Sequence, residues 1–539
     1  MSAGGRQAVR WRLGLAVMAG IVWRTRRRGI LVWVIALMAG MVGTAAAVAR
    51  MYNTPAKIQT YAEAVTSGSA LAAINGHVEG IDSLGGVVQD EFGFLASFLL
   101  PLLGIGLVVG STRREEESGR LETTLGGRIA RYQPTLAALA VATAAILATA
   151  VLFAGGLVLV GVQASGAILY GAALGGLAFV FAGFAALVAQ LVLHSRGVYL
   201  WSLTVLAAAY VLRGIGDATK TGLTWLTWLS PLGWAEKTAP FGGQRWWVLA
   251  MPFAVGVVLG GAAVWLAARR DVGSALLRGR VGPARATWLQ RRPVGLALWI
   301  HRPAALGWLA GGILLTAMMG SLVKQLLGAM AGNPALAESM GIQGGRPVDG
   351  FVAATQLYLA VVAGGYVIQA IGTLRAEEAD GRLETRLSGT LSRIRWLAAH
   401  TVVVAAGLAL IVVVSSLVLA ISTAWSVGDA HEFGSIMKSG LDYLPAELVL
   451  AGVALALFGS WPRGFGLAWV GYAVATFIAF LGPGLKLARW LLDLAPTTHV
   501  GNPPLGAADP GSLSVLTIVA GALLLLGFIA FNRRDIPRA

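Results

Sequence analysis

The sequence predicts an all-α, polytopic membrane protein with about twelve spanning helices in two homologous six-helix halves. Three observations carry this. The 539 residues are 57% hydrophobic and only 12% charged, with a mean hydropathy of +0.73; a soluble chain would be roughly 25% charged. Apolar runs of spanning length follow one another along the whole chain. And one charged phrase is written twice: "EEESGRLETTLGG" at 115–127 and "EEADGRLETRLSG" at 377–389. The 72 Gly suit close helix packing in lipid. With no Cys, disulfides and thiolate metal sites are excluded. The six His are scattered and form no ligand cluster. The net charge of +16 is spread over loops rather than gathered in a soluble basic domain, which excludes nucleic acid as a partner.

A helix needs about 20 apolar residues to cross a bilayer. On that rule the first half (1–268) has spans near 29–49, 91–110, 135–162, 167–193, 198–215 and 246–268. A basic cytoplasmic linker covers 269–303, and the second half (304–539) has spans near 304–322, 351–372, 397–422, 443–460, 464–482 and 512–531. With both termini in the cytoplasm, roughly three quarters of the 41 Lys and Arg fall inside, as the positive-inside rule requires. The first span, after Arg24–Arg28, also resembles a signal peptide. Its apolar run exceeds the usual ~7–15 residues, so a retained anchor is expected. Residues 6–28 and 293–303 have basic ends and apolar middles, and each is expected to lie along the membrane surface as an interfacial helix. The outer segment "WLSPLGWAEKTAPFGG" (228–243) reads as broken or re-entrant helix, or as a surface loop.

The duplicated phrase sets the organisation. Gly119-Arg120-Leu121-Glu122-Thr123 recurs unchanged as Gly381-Arg382-Leu383-Glu384-Thr385, each time just after the second span of its half. An even number of spans per half makes the repeat parallel, related by an axis along the membrane normal. Ser118-Gly119 and Asp380-Gly381 are turn dipeptides. After them Leu121, Leu125 and Ile129, and likewise Leu383, Leu387 and Leu391, recur every fourth residue. Each therefore predicts a short helix with an apolar ridge, flanked in the first copy by Arg120, Glu122 and Arg128. Such a ridge fenced by charges suits docking into a groove. The acidic residues favour a protein partner over anionic lipid headgroups.

This pattern (an acidic pair, Gly, "LE" and Leu after the second span) resembles the coupling region of ABC-2-type exporter permeases. The double-length form is similar to actinobacterial permeases that export polyketide antibiotics, the tetronasin-resistance type. The likeness covers nearly the whole chain, including "WLSPLGW" at 228–234. Departures are Ala376 and Ala379 where the first copy has Arg114 and Glu117, and "LAPTTHV" where the first half has "LSPLGW". The resemblance implies a transport subunit of the bacterial inner membrane, driven by two separate ATP-binding-cassette ATPase subunits that hold Mg-ATP. It carries an ATPase-coupling role onto Glu115, Glu116, Gly119, Leu121, Glu122 and Leu125 (coupling region 113–131), and onto Glu377, Glu378, Gly381, Leu383, Glu384 and Leu387 (375–393). None of the six Lys follows a Gly, so the chain has no Walker A site and no ATPase site of its own.

No charged residue falls in the middle of the spans so drawn; Arg213, Asp442 and Glu447 sit near span ends. That argues against ion coupling and for a hydrophobic or amphipathic solute. Candidate path residues are Phe94 and Phe98 (span two), Trp201 and Tyr210 (five), Gln356, Tyr358, Tyr366 and Gln369 (eight), and Trp469 and Tyr472 (eleven), against the plain reading of packing and aromatic belts. Two rivals stay open: a twelve-helix ion-coupled carrier and a non-transporting membrane scaffold.

Overall fold

The computed structural model describes residues 3–66, 75–126, 129–218, 223–277, 285–332, 346–428, 432–482 and 487–535, all helix and connecting loop. The chain divides into two compact units, Met1–Gly282 and Pro283–Ala539. The division falls inside the basic linker expected at 269–303.

In the first unit, α1 (Ala3–Met51) and α2 (Pro55–Thr66) lead into α3 (Leu84–Ser111) and two short helices, α4 (Arg113–Glu117) and α5 (Arg120–Leu125). Then follow α6 (Gln133–Leu159), α7 (Ala164–Leu191), α8 (Ser195–Ala218), α9 (Leu226–Leu229), α10 (Pro231–Lys237) and α11 (Ala250–Arg269). Helix α7 is the most enclosed, with 78% of its apolar window buried. It packs on α3, α6, α8 and α11. Small residues permit this: a Cβ on Gly183 of α7 would stand 2.9 Å from the carbonyl oxygen of Gly256 on α11.

The second unit contains α12 (Pro293–Gly332), α13 (Pro347–Ala379), α14 (Arg382–Leu387), α15 (Arg393–Val427), α16 (Phe433–Asp442), α17 (Leu444–Ser460), α18 (Gly466–Leu481), α19 (Arg489–Leu492) and α20 (Pro510–Arg533). Here α13 is the most enclosed. Helices α17 and α20 approach through Gly459 and Gly527; a Cβ on Gly527 would stand 2.9 Å from the Leu455 backbone. The pairing of spans four and six through facing glycines thus recurs between spans ten and twelve.

Several expectations are corrected. Eleven helices among the described residues are long and apolar enough to cross a membrane, not twelve. The expected span eleven is α18, only 16 residues. At 1.5 Å per residue that is about 24 Å, short of a ~30 Å hydrocarbon core. The expected interfacial helices are not separate elements. Residues 6–28 run unbroken into the first span within the 49-residue α1, and 293–303 open the 40-residue α12, which tolerates Pro303 in its interior. Gly29 and Pro303 stand at the two junctions, and the helix runs through both. Span ten begins at Phe433, ten residues before the expected start, because the polar-looking 433–442 is helical. Glu447 therefore lies mid-span, 1% exposed, and a Cβ on Gly364 of α13 would stand 2.8 Å from its Oε2. Asp90 is also buried inside α3. The reading that the spans carry charge only at their ends does not hold.

Candidate functional site

Each duplicated phrase folds as an elbow at the C-terminal end of its second span. Gly119 and Gly381 make the bend. Both have φ of 71°, with ψ of −6° and −1°. Their amides donate to the carbonyls of Glu116 and Glu378 at 3.0 and 3.1 Å. This left-handed conformation costs any Cβ-bearing residue about 1–2 kcal/mol. Space is not the reason for glycine at position 119, where nothing lies within 4 Å of a built Cβ.

The acidic pair then anchors the bend. Glu116, 4% exposed at its side chain, accepts from Arg270 Nη1 and Nη2 at 2.7 and 3.0 Å, pairs with Arg113 at 3.0 Å, and accepts from the Gly273 amide at 2.6 Å. Glu378, equally buried, accepts from Arg534 Nη1 and Nη2 at 2.7 and 2.6 Å. Arg270 and Arg534 each stand one residue past the last spanning helix of their unit, α11 and α20. Bidentate carboxylate–guanidinium pairs of this kind fix direction as well as distance. A second tie repeats: Arg113 Nε donates to the Ala189 carbonyl at 2.9 Å, and Arg375 Nε to that of Pro462 at 3.0 Å. Each elbow is thereby fastened to the ends of the fourth and sixth spans of its unit. Glu115 pairs with Arg120 at 2.7 Å, and Glu377 with Arg382 at 2.8 Å. Glu117 accepts from the Ser195 amide and hydroxyl at 2.8 and 2.6 Å; Ala379, its counterpart, has no side chain to do so.

The leucine ridges are turned inward. Leu121 is buried with Met18 and Ala137, and Leu125 and Ile129 pack on the same cluster beside Leu15, Ala19 and Val272. Leu383 is fully buried in the core of the second unit, with Leu387 and Leu391 against it. The grooves these ridges fill belong to the chain itself, in place of the external groove expected. An apolar ridge fenced by charges serves an inner groove as well as an outer one. What each elbow leaves exposed is its charged face, Glu122 with Thr123 and Glu384 with Thr385. Gly127 and Arg128 lie outside the described residues.

Sequence reasoning missed Arg270 and Arg534. A signal was present: both units close on Arg-Arg-Asp, at 269–271 and 533–535.

The aromatic and amide candidates separate. Phe94, Phe98 and Tyr210 pack mutually, with centroids 5.2 to 5.4 Å apart, and Arg213 lies over the Tyr210 ring at 4.8 Å. Trp201 is exposed. Gln356 is consumed by packing: its Nε2 donates to the Ile436 carbonyl at 2.9 Å and its Oε1 accepts from Ser416. Tyr366 is buried, and Tyr472 donates to the Val361 carbonyl at 2.7 Å. Gln369 accepts from Trp308 at 2.6 Å. Tyr358 and Trp469 are exposed, Tyr358 beside Phe480 and Trp469 against Tyr472.

At the C-terminal end of α8 a buried cluster of ionisable groups forms where the broken segment 228–243 folds back as α9, α10 and an irregular turn with Ala239 and Gln244 at positive φ. Arg213 stands 3.7 Å from Asp217 and 3.8 Å from Glu236, whose Oε1 accepts from the His77 amide at 2.8 Å. Burial, then the Asp217 charge, pushes the Glu236 carboxyl up to about 8.

Long apolar helices, with an elbow in each unit fastened to three of its spans, define a multi-pass membrane protein. The comparisons agree. A family profile for the C-terminal domain of multidrug efflux system permease Rv1217c matches residues 291–532, within the second unit. The multidrug efflux system permease protein Rv1217c of Mycobacterium tuberculosis is 33% identical over 522 residues, covering 95% of this chain and 93% of that protein. The chain belongs to the Rv1217c-like family of multidrug efflux system permeases.

Proposed function

We propose that the chain is the membrane subunit of an ATP-binding-cassette exporter of hydrophobic or amphipathic drugs, polyketide-type antibiotics among them. Two separate ATPase subunits, holding Mg-ATP, seat on the charged faces of the elbows at the cytoplasmic side, where both termini also lie. One observation carries this reading. The elbows of the two units share their bend and their carboxylate–guanidinium clamp, and both keep Glu122 or Glu384 exposed. A duplicated rigid bend with an exposed acidic face suits a handle that receives force. Glu115, Glu116, Glu377, Glu378 and the buried leucines hold the handle; the exposed residues meet the partner. Force applied there passes through Arg113, Arg270, Arg375 and Arg534 to the spans rather than dissipating in a loop.

The test is Glu122→Ala combined with Glu384→Ala in the assembled complex. ATP hydrolysis stimulated by the permease should fall at least about tenfold, as for loss of charge-assisted contacts at an interface, while the permease melts normally. Unchanged solute export would sink the reading.

Glu447 favours a second reading. A buried carboxylate at mid-span, with no hydrogen-bond partner for Oε2 among the described residues, is what a proton-coupled carrier uses. Uptake into vesicles driven by a proton gradient without ATP would select it.

A further inference from the structure

The first unit contains a small polar cavity between α3, α7, α8 and α10 that no motif in the sequence announces. Its volume is about 40 Å³. Gln89, Gly93 and Ser97 line it from one face of α3, Tyr170 from α7, Arg213 from α8 and Glu236 from α10. The floor is buried, while Asn75, Gly93 and Ser97 at its edge are half-buried. Two neutral polar atoms in the floor lack hydrogen-bond partners among the described residues: Gln89 Oε1 and Tyr170 Oη. Gly93 lets the phenol in; a Cβ there would stand 3.0 Å from Tyr170 Oη. The ionisable groups are already engaged with one another, Arg213 with Asp217 and Glu236, and Glu236 with the His77 amide. Gln89 Oε1 accepts and Tyr170 Oη can donate, so one uncharged group that both donates and accepts suits the pair. Beside it stand Phe94, Phe98 and Tyr210, joined to the cavity through Arg213 over the Tyr210 ring.

We propose that this cavity is a head-group subsite for amphipathic solutes, in which Gln89 and Tyr170 hold a hydroxyl of the ligand while its apolar body lies against the Phe94–Phe98–Tyr210 cluster. An orphaned buried acceptor and hydroxyl each carry a desolvation penalty that a ligand hydroxyl removes. The volume admits one small group and no more. The cavity supplies the polar orientation that an apolar path needs for selectivity. The proposal rests on the reading that the chain exports amphipathic solutes, and it deepens that reading by naming their recognised chemistry.

Three dansylated eight-carbon chains differing only at the free end (hydroxyl, methyl or trimethylammonium) test it by fluorescence titration on the purified full chain in nanodiscs, with no ATPase present. The hydroxyl probe should bind about five- to tenfold more tightly than the methyl probe, the worth of one or two hydrogen bonds. Tyr170→Phe and Gln89→Met should each shrink that ratio to about two or less while leaving methyl-probe affinity unchanged. Unchanged methyl-probe binding also reports an intact fold, and Tyr170→Phe keeps the ring. Equal binding of hydroxyl and methyl probes by the parent chain, a preference that survives in both variants, or a preference for the ammonium probe overturns the subsite. Because no ATPase takes part, failure of the elbow assignment leaves this result untouched, and failure here leaves stimulation of ATP hydrolysis intact.

Discussion

The elbow of the first unit is held by more of its chain than the elbow of the second. Glu116 has two arginines and a backbone amide, whereas Glu378 has Arg534 alone among the described residues. Glu115 reaches out to Arg26 on α1, whereas Glu377 finds its second arginine, Arg386, inside its own elbow. The first leucine ridge rests on the early turns of α1, the second on the main core of its unit. Yet the bend and the clamp to the closing helix are the same in both. The parts that set the angle of the elbow are shared after duplication, and the parts that attach it to its surroundings differ.

The largest effect should come from the clamp. Arg534→Leu strands Glu378 as a buried, unpaired charge and should cost about 3–5 kcal/mol. Arg270→Leu leaves Glu116 with Arg113 and the Gly273 amide and should cost roughly half as much. Thermal melting of the two purified variants decides; coincident curves would mean that the extra partners of Glu116 contribute nothing. Next come the glycines. Gly119→Ala and Gly381→Ala should each cost about 1–2 kcal/mol, since both bends have φ of 71°. Unequal losses would break the claim that the two bends are equivalent. The smallest effect is at the outer ties. Arg26→Gln should cost less than about 1 kcal/mol, since that pair is a quarter exposed, and Arg386→Gln slightly more, since Glu377 is only 7% exposed. A larger loss from Arg26 would show that the first elbow depends on α1 rather than merely touching it.

Most of the spans and the turn glycines were legible in the sequence, because hydropathy and a repeated pentapeptide are local signals. The direction of the ridges was not. Leu121 and Leu383 have the same periodicity whether they face a partner or their own unit. The clamp was hidden because its residues lie 154 and 156 positions apart in the chain, and only folding brings them together. The start of α16 was missed because Lys438, Ser439 and Asp442 read as a loop, although the segment is amphipathic and helical. That single boundary moved Glu447 from the edge of a span to its middle. The head-group cavity left no mark at all, since Gln89 and Tyr170 come from different helices and neither sits in a motif.

Arg270 and Arg534 each join the C-terminal end of one long apolar helix to the C-terminal end of another. Neither elbow can therefore swing like a loose hinge. On the proposed reading, a nudge to either one should tilt its second and last spans in step, as a crank turns two rods.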